Sequence, residues 1–326
     1  MEPWWLRYLS VPCCGSIPIL KDEPETLACE ACDVTYPIED GVIRFGRSSD
    51  YASSFGVEWS EFSETQIDHR NGTTISTDRL REIAGGSLQL FRGVVAYDSG
   101  CGSGRFSAVA AQHGARVIAA DLSLAAVRAC RRNTRDLEDV VCIHAAAERL
   151  PVQERSIDVV LSIGVYQHTP DPIVHVRHAA SVVRPGGRFV FWGYERRLES
   201  LAHPKYVLRP FTRRLDPAKL LGLVRRTTPA LLRLSDMARR LPGGLYLSRL
   251  VPVANYAGLL PLDEQQRLEW AVLDTFDWLS PRYDRPATYA QVSGELERGG
   301  FRVKRTLDDS IGLVGAFADD ADGVGT

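Results

Sequence analysis

Three glycines at alternate positions, preceded by an acid, form the pattern in this sequence that is best suited to ligand binding. Gly100, Gly102 and Gly104 follow an apolar run that ends at Asp98. Glycine allows the backbone to turn tightly and to approach a ligand without an intervening Cβ. Loops that cradle a pyrophosphate use a different spacing, G-x-G-x-x-G. A carboxylate at position 98 would repel phosphate and attract an ammonium group, so the pattern predicts a ligand that carries an amino group.

A second acid, Asp121, follows the next predicted strand. Hydrophobic patterning predicts a strand at 94–98, a helix at 104–113 and a strand at 116–120, which together form a βαβ unit of about 30 residues. The carboxyl ends of parallel strands meet at one edge of a sheet, and this arrangement can hold a nucleoside there. We therefore expect Asp98 and Asp121 to lie beside the same ligand.

The alternation of strands and helices continues along the chain and predicts an α/β fold built on a parallel sheet. The further predicted elements are helix 123–134 with Ser123 as its N-cap, strand 139–144, strand 157–164, helix 172–183, strand 188–193, helix 288–298 and a hairpin of 301–307 with 311–317.

This order of elements resembles the class I S-adenosylmethionine-dependent methyltransferases of the methyltransferase type 11-like kind. The run from Asp98 to Gly104 resembles motif I of that family, and 145–151, 157–172 and 183–187 follow its later motifs in order. The resemblance covers about 220 of the 326 residues. It implies an α/β, Rossmann-like, doubly wound sheet of seven strands with an antiparallel last strand.

The resemblance implies S-adenosyl-L-methionine as the cofactor. In the family, the glycine loop receives the methionine part and the acid after the second strand, here Asp121, binds both ribose hydroxyls. The sequence departs from the family at Ala146, where an Asp commonly accepts from the adenine amino group, so that acceptor must come from the backbone or from Glu148. The implied cofactor-binding residues are Gln66, Asp98, Gly100, Cys101, Gly102, Gly104, Asp121, Leu122, Ala147, Glu148 and Ile163.

A cysteine cluster near the amino terminus indicates a second kind of site. Residues 1–50 resemble the Trm112-like zinc-ribbon module that often precedes bacterial methyltransferases, with a short hairpin at 34–43. Tetrahedral zinc takes four ligands, and the cysteines that could supply them are Cys13, Cys14, Cys29 and Cys32. Val11 occupies the family's first ligand position, so Cys13 would have to be the fourth ligand, directly beside Cys14. Bound structural zinc and a ribbon folded without metal both remain open.

Methyl transfer to a hydroxyl needs a base near the end of the fourth core strand or in the segment above it. His168 follows that strand, and an imidazole titrates near neutral pH; the alternative is a loop histidine that only shapes the pocket. Asp277 and Tyr283 are further catalytic candidates from the insertion before the last helix. Tyr166 and Tyr194 are candidate substrate contacts, or ordinary packing aromatics.

The predicted organisation is a zinc-ribbon-like module at 1–50, a helical cap at 51–90, a core at 91–194 and 288–318, a helical substrate-lid insertion at 195–287 and a disordered tail at 319–326. Between Arg196 and Arg249 the lid carries 13 Lys or Arg against three acids. Such a basic segment indicates an anionic or lipid-like acceptor, peripheral membrane contact or nucleic acid, or else a solvated arginine face.

Composition excludes some classes of protein. No run of 18 apolar residues indicates a membrane span, and the first residues lack the pattern of a secretory signal. The number of cysteines, seven, is odd, and Cys101, Cys130 and Cys142 show no pairing logic, so we expect reduced thiols and a cytoplasmic location. The oligomeric state stays open.

Three functions remain in view. The leading hypothesis is methyl transfer to a hydroxyl oxygen of a specialised metabolite, sugar or isoprenoid-type compound. The second is RNA base methylation, although the fourth strand ends in Ile163-Gly164-Val165-Tyr166 and not in the Asn/Asp-Pro-Pro-Tyr signature of amino-group base methylation. The third is a non-catalytic cofactor-binding or scaffold protein.

Overall fold

One sheet of eleven strands organises the protein. The computed structural model describes residues 2–21, 25–46, 53–146, 151–197 and 203–318. The strands are β1 (Ile19–Lys21), β2 (Thr26–Cys29), β3 (Val34–Glu39), β4 (Val42–Arg44), β5 (Val95–Ser99), β6 (Arg116–Asp121), β7 (Val140–His144), β8 (Ile157–Ile163), β9 (Val183–Gly193), β10 (Phe301–Leu307) and β11 (Ile311–Phe317). Their order across the sheet is β1-β2-β3-β4-β7-β6-β5-β8-β9-β11-β10.

The strands from β7 to β10 in this order form a doubly wound core with β5 near its centre. All five residues of β5 are buried, and β5 pairs in parallel with β6 on one side and β8 on the other. β11 is antiparallel to both β9 and β10. The last strand of the chain, β11, is therefore antiparallel to its neighbours.

The prediction of a sheet with only seven strands is wrong, because the amino-terminal strands continue it. β4 pairs in parallel with β7, with Val42 opposite Cys142. The predicted hairpin is present as β3 and β4, and its turn residues Asp40 and Gly41 have φ of +53° and +74°. Leu9 and Leu27 are fully buried in the same apolar cluster as core residues, so this module shares a hydrophobic core with the rest of the sheet.

Helices pack on both faces of the sheet and above one edge of it. They are α1 (Ser53–Glu61), α2 (Asp68–Asn71), α3 (Ile75–Ile83), α4 (Arg105–Gln112), α5 (Leu124–Asn133), α6 (Pro172–Ser181), α7 (Pro204–Thr212), α8 (Pro217–Arg239), α9 (Gly244–Ser248), α10 (Glu264–Leu279) and α11 (Tyr289–Arg298). Ser123 is the N-cap of α5, as predicted, and accepts from the backbone amide of Ala126. None of the described helices is long and apolar enough to cross a membrane.

The described part of the insertion before α11 contains the helices α7 to α10, joined by irregular segments such as 249–263, and its longest helix runs through a proline. Pro229 lies inside α8, and the helix continues across it. Thr227 and Thr228 donate their hydroxyls to backbone carbonyls of the preceding turn, and one face of α8 is buried. The side chains that join α8 to α10 are Leu220, Leu221, Val224, Val272, Leu273 and Phe276. Tertiary burial therefore outweighs the hydrogen bond that proline cannot make.

Candidate functional site

A cavity of about 840 Å³ lies between the carboxyl edge of the sheet and the helical insertion. Its floor comes from the ends of β5, β6, β8 and β9, and its walls from α1, α3 and the start of α4. The insertion contributes residues of α10 and of the segment before it. The polar and aromatic residues of its lining include Glu58, Trp59, Gln66, Arg105, Asp121, His168, Tyr194, Tyr256, Trp270, Asp274 and Asp277.

The glycine loop forms part of the floor, and its backbone is closely packed. A Cβ at Gly100 would lie 2.5 Å from a methyl group of Val165, and one at Gly102 would lie 3.0 Å from the indole of Trp59. Both glycines have positive φ, +85° and +53°, a conformation that L side chains rarely adopt. The backbone amides of Gly100 and Cys101 donate to the carbonyl of Ala120. A side chain at 100 would clash with Val165 and one at 102 would press on Trp59, so the loop presents bare backbone to the cavity.

Asp121 lies on the cavity wall at the end of β6, as the sequence predicts for a ribose-binding acid. One carboxylate oxygen accepts from the Gly102 amide at 3.0 Å and the other from the Ser123 amide at 2.8 Å. Burial raises the pKa of this carboxyl above its usual value, while the backbone donors oppose that shift. The carboxylate therefore also fixes the shape of the glycine loop.

Asp98 lies behind the loop and not on the cavity wall, contrary to our expectation that it contacts the ligand. Ser107 of α4 donates to its carboxylate at 2.6 Å, and the side chain is 2% exposed. The neighbours Tyr97 and Ser99 line the cavity instead, because successive side chains of a strand point to opposite faces. Burial raises the pKa of Asp98 to about 7. Asp98 therefore joins β5 to α4.

Gly104 also serves packing, since it is outside the cavity lining. A Cβ there would lie 2.7 Å from the Cys130 sulfur, so this glycine allows α4 and α5 to approach each other.

The remaining predicted cofactor contacts form two groups, those that line the cavity and those that the structure does not describe. Cys101, Leu122 and Ile163 line the cavity, whereas Ala147 and Glu148 lie outside the described residues.

Gln66 lies in the cavity wall and is oriented by a buried arginine. The Arg105 guanidinium donates to the Gln66 side-chain oxygen at 3.3 Å and to the Ser76 hydroxyl at 2.8 Å. It also lies over the ring of Trp270, 5.4 Å from the centroid. Burial lowers the pKa of Arg105 to about 10. This arginine therefore connects the cap, the glycine-loop helix and the insertion around one wall of the cavity.

His168 and Asp277 meet at the cavity although they are more than 100 positions apart in the sequence. His168 Nδ1 lies 3.1 Å from the backbone carbonyl of Tyr283. A carbonyl can only accept, so Nδ1 carries the hydrogen and Nε2 of the neutral ring keeps its lone pair. Nε2 lies 3.8 Å from Asp277, and the Tyr194 hydroxyl donates to Asp277 at 3.3 Å. The arrangement places a base, a carboxylate and a phenol side by side.

Two predicted site tyrosines have other positions. Tyr166 is fully buried and outside the cavity lining; its hydroxyl donates to the Tyr194 carbonyl and accepts from the Ala287 amide. It is therefore a packing residue and not the predicted substrate contact. The Tyr283 side chain lines a second cavity, so the predicted catalytic role does not fit its hydroxyl, and its backbone carbonyl orients His168.

Sequence reasoning missed three cavity residues. Glu58 of α1 is 2% exposed, and one of its carboxyl oxygens has no hydrogen-bond partner among the described residues. Desolvation raises its pKa well above the usual value, and Asp277, Asp274 and Asp121 add to that shift. Asp274 accepts from the hydroxyl of Tyr256. The spacing of Phe55, Trp59 and Phe62 places Glu58 on the buried face of α1, which is the signal that could have found it.

The four amino-terminal cysteines also come together, away from the cavity lining. The sulfurs of Cys13, Cys14, Cys29 and Cys32 all lie within 4.8 Å of one another. Cys14 and Cys29 are 3.4 Å apart, and Cys13 and Cys14 are 3.9 Å apart. Four thiolates around tetrahedral zinc, with bonds of about 2.3 Å, are separated by about 3.8 Å. The donor set and its spacing fit a zinc ion.

Residues 97–191 match a family described as a methyltransferase domain. Ubiquinone biosynthesis O-methyltransferase of Sodalis glossinidius is 30% identical over 160 residues, which cover 45% of this chain and 63% of that protein. The 27-O-demethylrifamycin SV methyltransferase of Amycolatopsis mediterranei is 36% identical over 135 residues, which cover 40% of this chain and 47% of that protein. An O-methyltransferase family protein from Burkholderia thailandensis has a TM-score of 0.44 at 13% identity, over 77% of this chain and 59% of that chain.

The chain spans less than two thirds of the length of the curated relatives it matches. Residues 97–191 are therefore similar to a methyltransferase domain, and they lie within the Rossmann-like, doubly wound part of the sheet.

The Asp274 carboxyl makes the stability of the protein depend on pH. Burial raises its pKa to about 7 in the folded protein, whereas an unfolded chain has a value near 4. Between these values the folded state holds a proton that the unfolded state releases, so stability falls as pH rises from about 4 to about 7. Asp274→Asn keeps a neutral acceptor for Tyr256 and removes this titration.

We expect Asp274→Asn to gain about 2 kcal/mol relative to the original protein between pH 5 and pH 8, measured by urea unfolding without cofactor. Asp136→Asn, at a side chain that is 77% exposed, is the matched control and should follow the original protein. Parallel curves for Asp274→Asn and the original protein would contradict this assignment.

Proposed function

We propose that the protein is an S-adenosylmethionine-dependent O-methyltransferase that acts on a hydroxyl group of a small molecule. The observation that carries this proposal is a single cavity in which the glycine loop and the His168–Asp277 pair share the wall. The names of two curated relatives support an oxygen acceptor. One is called an O-methyltransferase, and the other is named after a 27-O-demethylated substrate.

The residues of the cavity suit a cationic cofactor. Among the described residues, the lining has six acids, Glu58, Asp78, Glu82, Asp121, Asp274 and Asp277, against the two arginines Arg79 and Arg105. A buried carboxyl oxygen without a hydrogen bond among those residues, as in Glu58, is costly until a donor or a positive charge lies against it. We assign the bare backbone of Gly100 and Gly102 and the Asp121 carboxylate to the cofactor, with Gln66 covering its methionine part. When bound, S-adenosyl-L-methionine supplies a methyl group activated by its sulfonium.

His168 is the proposed general base. Its Nε2, freed by the bond from Nδ1 to the Tyr283 carbonyl, accepts the proton of the acceptor hydroxyl. The ring then carries a positive charge, and Asp277 at 3.8 Å stabilises it. Because Tyr194 donates to the same carboxylate, Asp277 stays oriented toward the cavity. Such a positioned base contributes about 10²–10⁴-fold in rate.

The acceptor is proposed to be an aromatic or otherwise apolar hydroxyl compound. The part of the cavity around His168 is formed by Phe55, Trp192, Tyr194 and Trp278, which offer apolar faces and few hydrogen bonds. Residues of the insertion form part of the wall, so the acceptor lies between lid and sheet. This enclosure favours a small molecule over the alternative of an RNA base.

We also propose that Cys13, Cys14, Cys29 and Cys32 hold a structural zinc ion. The four sulfurs have the spacing of a tetrahedral thiolate site, and Cys29 ends β2, which belongs to the sheet extension. The metal would join the segment before β1 to this strand. It has no part in the transfer reaction, because none of these cysteines lines the cavity.

Replacement of Asp121 tests the cofactor site. Asp121→Ala removes the proposed ribose acceptor and the anchor of the Gly102 amide, so we expect the Kd of S-adenosyl-L-methionine to rise at least tenfold, about 1.4 kcal/mol. Isothermal titration calorimetry measures this, and circular dichroism checks the fold. Asp136→Ala is the exposed control. An unchanged Kd for Asp121→Ala would remove our placement of the ribose.

Replacement of His168 tests the base. His168→Ala and Asp277→Asn should each lower kcat, His168→Ala by about 10²–10⁴-fold, while the Kd of the cofactor changes little. The acceptor is first found by mass spectrometry of a metabolite extract incubated with deuteromethyl cofactor. His175→Ala is a control histidine outside the cavity lining. Full activity of His168→Ala would assign this histidine to shaping of the pocket, and absence of turnover in the original protein would support the non-catalytic alternative.

Metal analysis tests the zinc site. We expect about one zinc per chain by mass spectrometry of purified protein, and a loss of metal together with a lower melting temperature in Cys29→Ser. Cys142→Ser is the matched control, since that buried thiol is outside the cluster. Protein purified with zinc present but containing none would favour the metal-free ribbon.

A further inference from the structure

A second cavity, of about 660 Å³, lies on the other side of the 280–285 segment from the first. It is bounded by the start of α1, by α7 and the turn after it, and by that segment. Five arginines line it: Arg209, Arg213, Arg214, Arg282 and Arg285. Its single acidic lining residue among those described is Asp284. The cavity therefore carries a strong excess of positive charge.

The charge of Asp284 is already balanced within the wall. Its side chain is 2% exposed, Lys205 Nζ lies 2.9 Å from it, and Arg209 Nε lies 3.7 Å from it. The Arg209 guanidinium also donates to the backbone carbonyls of Trp278 and Pro281, both at 2.8 Å. Asp284 therefore forms ion pairs with Lys205 and Arg209 inside the wall, although neither carboxyl oxygen has a hydrogen bond among the described residues.

Three of those arginines can donate further hydrogen bonds to a ligand. In the part of the chain that the structure describes, Arg213, Arg214 and Arg282 form no ion pair with an acid. Arg213 and Arg214 are exposed residues that follow α7, and Arg282 contacts the ring of Tyr283. Guanidinium groups in a shared cavity repel one another unless an anion lies between them. Their planar forks match the oxygens of phosphate groups.

Two buried serines supply an independent observation. Ser54 and Ser280 line this cavity and are 4% and 8% exposed. Both hydroxyls lack a hydrogen-bond partner among the described residues. Buried hydroxyls are normally paired, so these two indicate a missing partner at the cavity wall. A hydroxyl can donate to a phosphate oxygen, as the arginines do.

We infer that this arginine-lined cavity is a binding site for a phosphate-bearing anion, a phosphate or diphosphate group. Arg213, Arg214 and Arg282 would donate to its oxygens, and Ser54 and Ser280 would complete the shell. This inference goes beyond methyl transfer and does not depend on it, since the site is separate from the glycine loop.

The location gives the site a connection to the first cavity. Residues 280–285 contribute to the second cavity, and Tyr283 within them holds His168 Nδ1 through its carbonyl. The Arg285 amide also donates to the Gln167 carbonyl. An anion bound to Arg282 would fix the segment that orients the proposed base.

Pyrophosphate binding to the full-length protein tests the site. Isothermal titration calorimetry with inorganic pyrophosphate is run against sodium chloride of equal ionic strength. We expect saturable binding, weakened at least tenfold in the double variant Arg213→Gln/Arg214→Gln and also weakened in Arg282→Gln. Arg226→Gln/Arg233→Gln, which removes two exposed arginines of α8 outside the cavity, should bind within about twofold of the original protein.

The opposite results overturn the inference. One such result is a heat of pyrophosphate titration no larger than that of sodium chloride. The other is an equal loss of pyrophosphate affinity in Arg213→Gln/Arg214→Gln and in the control Arg226→Gln/Arg233→Gln. The Kd of S-adenosyl-L-methionine is measured in the same samples. Protein that binds pyrophosphate but not this cofactor would contradict the proposed function and support the anion site. Protein that binds the cofactor but not pyrophosphate would contradict the anion site and leave the proposed function in place.

A second titration identifies the source of the phosphate. Phenyl phosphate and inorganic phosphate carry the same anionic group, but only the first presents an organic ester. Tighter binding of phenyl phosphate by about tenfold would support a phosphorylated acceptor or other ester. Equal affinities would support free phosphate, and binding of neither, together with no pyrophosphate binding, would remove the site.

Discussion

Close backbone packing at the carboxyl edge of the sheet is the constraint on which this structure depends. The loop from Gly100 to Gly104 turns between β5 and α4 with no room for a Cβ against Val165, Trp59 or Cys130. Three separate parts of the chain thus meet at one turn, the cap, α5 and the segment after β8. Asp121 fixes the loop from below through the Gly102 amide. The cavity has its shape because these contacts leave bare backbone on its floor.

Several acidic side chains around the cavity are buried. Glu58 and Asp274 have raised pKa values because burial disfavours their charged forms, and neighbouring acids add to the effect. A cationic ligand that lies against these buried carboxyls favours their charged forms, so the carboxyls attract it. On one wall, the positive charge of Arg105 partly offsets the negative charge of these acids. Arg105 also donates to the side-chain oxygen of Gln66 and so orients this neutral side chain. The electrostatics therefore favour the same kind of ligand as the glycine loop does.

The segment 280–285 separates two cavities of opposite character. On one side lie the acids and His168, and on the other lie the arginines around the buried Asp284 group. Lys205 joins the two sides, because it pairs with Asp284 and lies over the ring of Tyr194, 4.6 Å from its centroid. The insertion is therefore more than a cover, since its return to the sheet orients His168, the proposed base, and forms the wall of the second cavity.

The sequence by itself determined the features that depend on local pattern. Periodicity placed both ends of β5, β6, β7, β8, β10 and β11 within one residue, whereas β9 begins at Val183, five residues before its predicted start. Ser123 caps α5, and Asp40-Gly41 forms the turn of a hairpin, as the sequence predicts. The common edge of parallel strands predicted where Asp121 and His168 would lie. Only the tertiary structure decided the rest, because it depends on contacts between distant segments. Pairing of β4 with β7 extended the sheet to eleven strands. The pleat of β5 turned Asp98 toward α4, and the return of the insertion brought the Tyr283 carbonyl, 115 positions along the chain, to His168. No local pattern encodes which side chain a distant segment will meet. The orientation of His168, the burial of Tyr166 and the Glu58 oxygen without a hydrogen bond among the described residues therefore emerged only from packing.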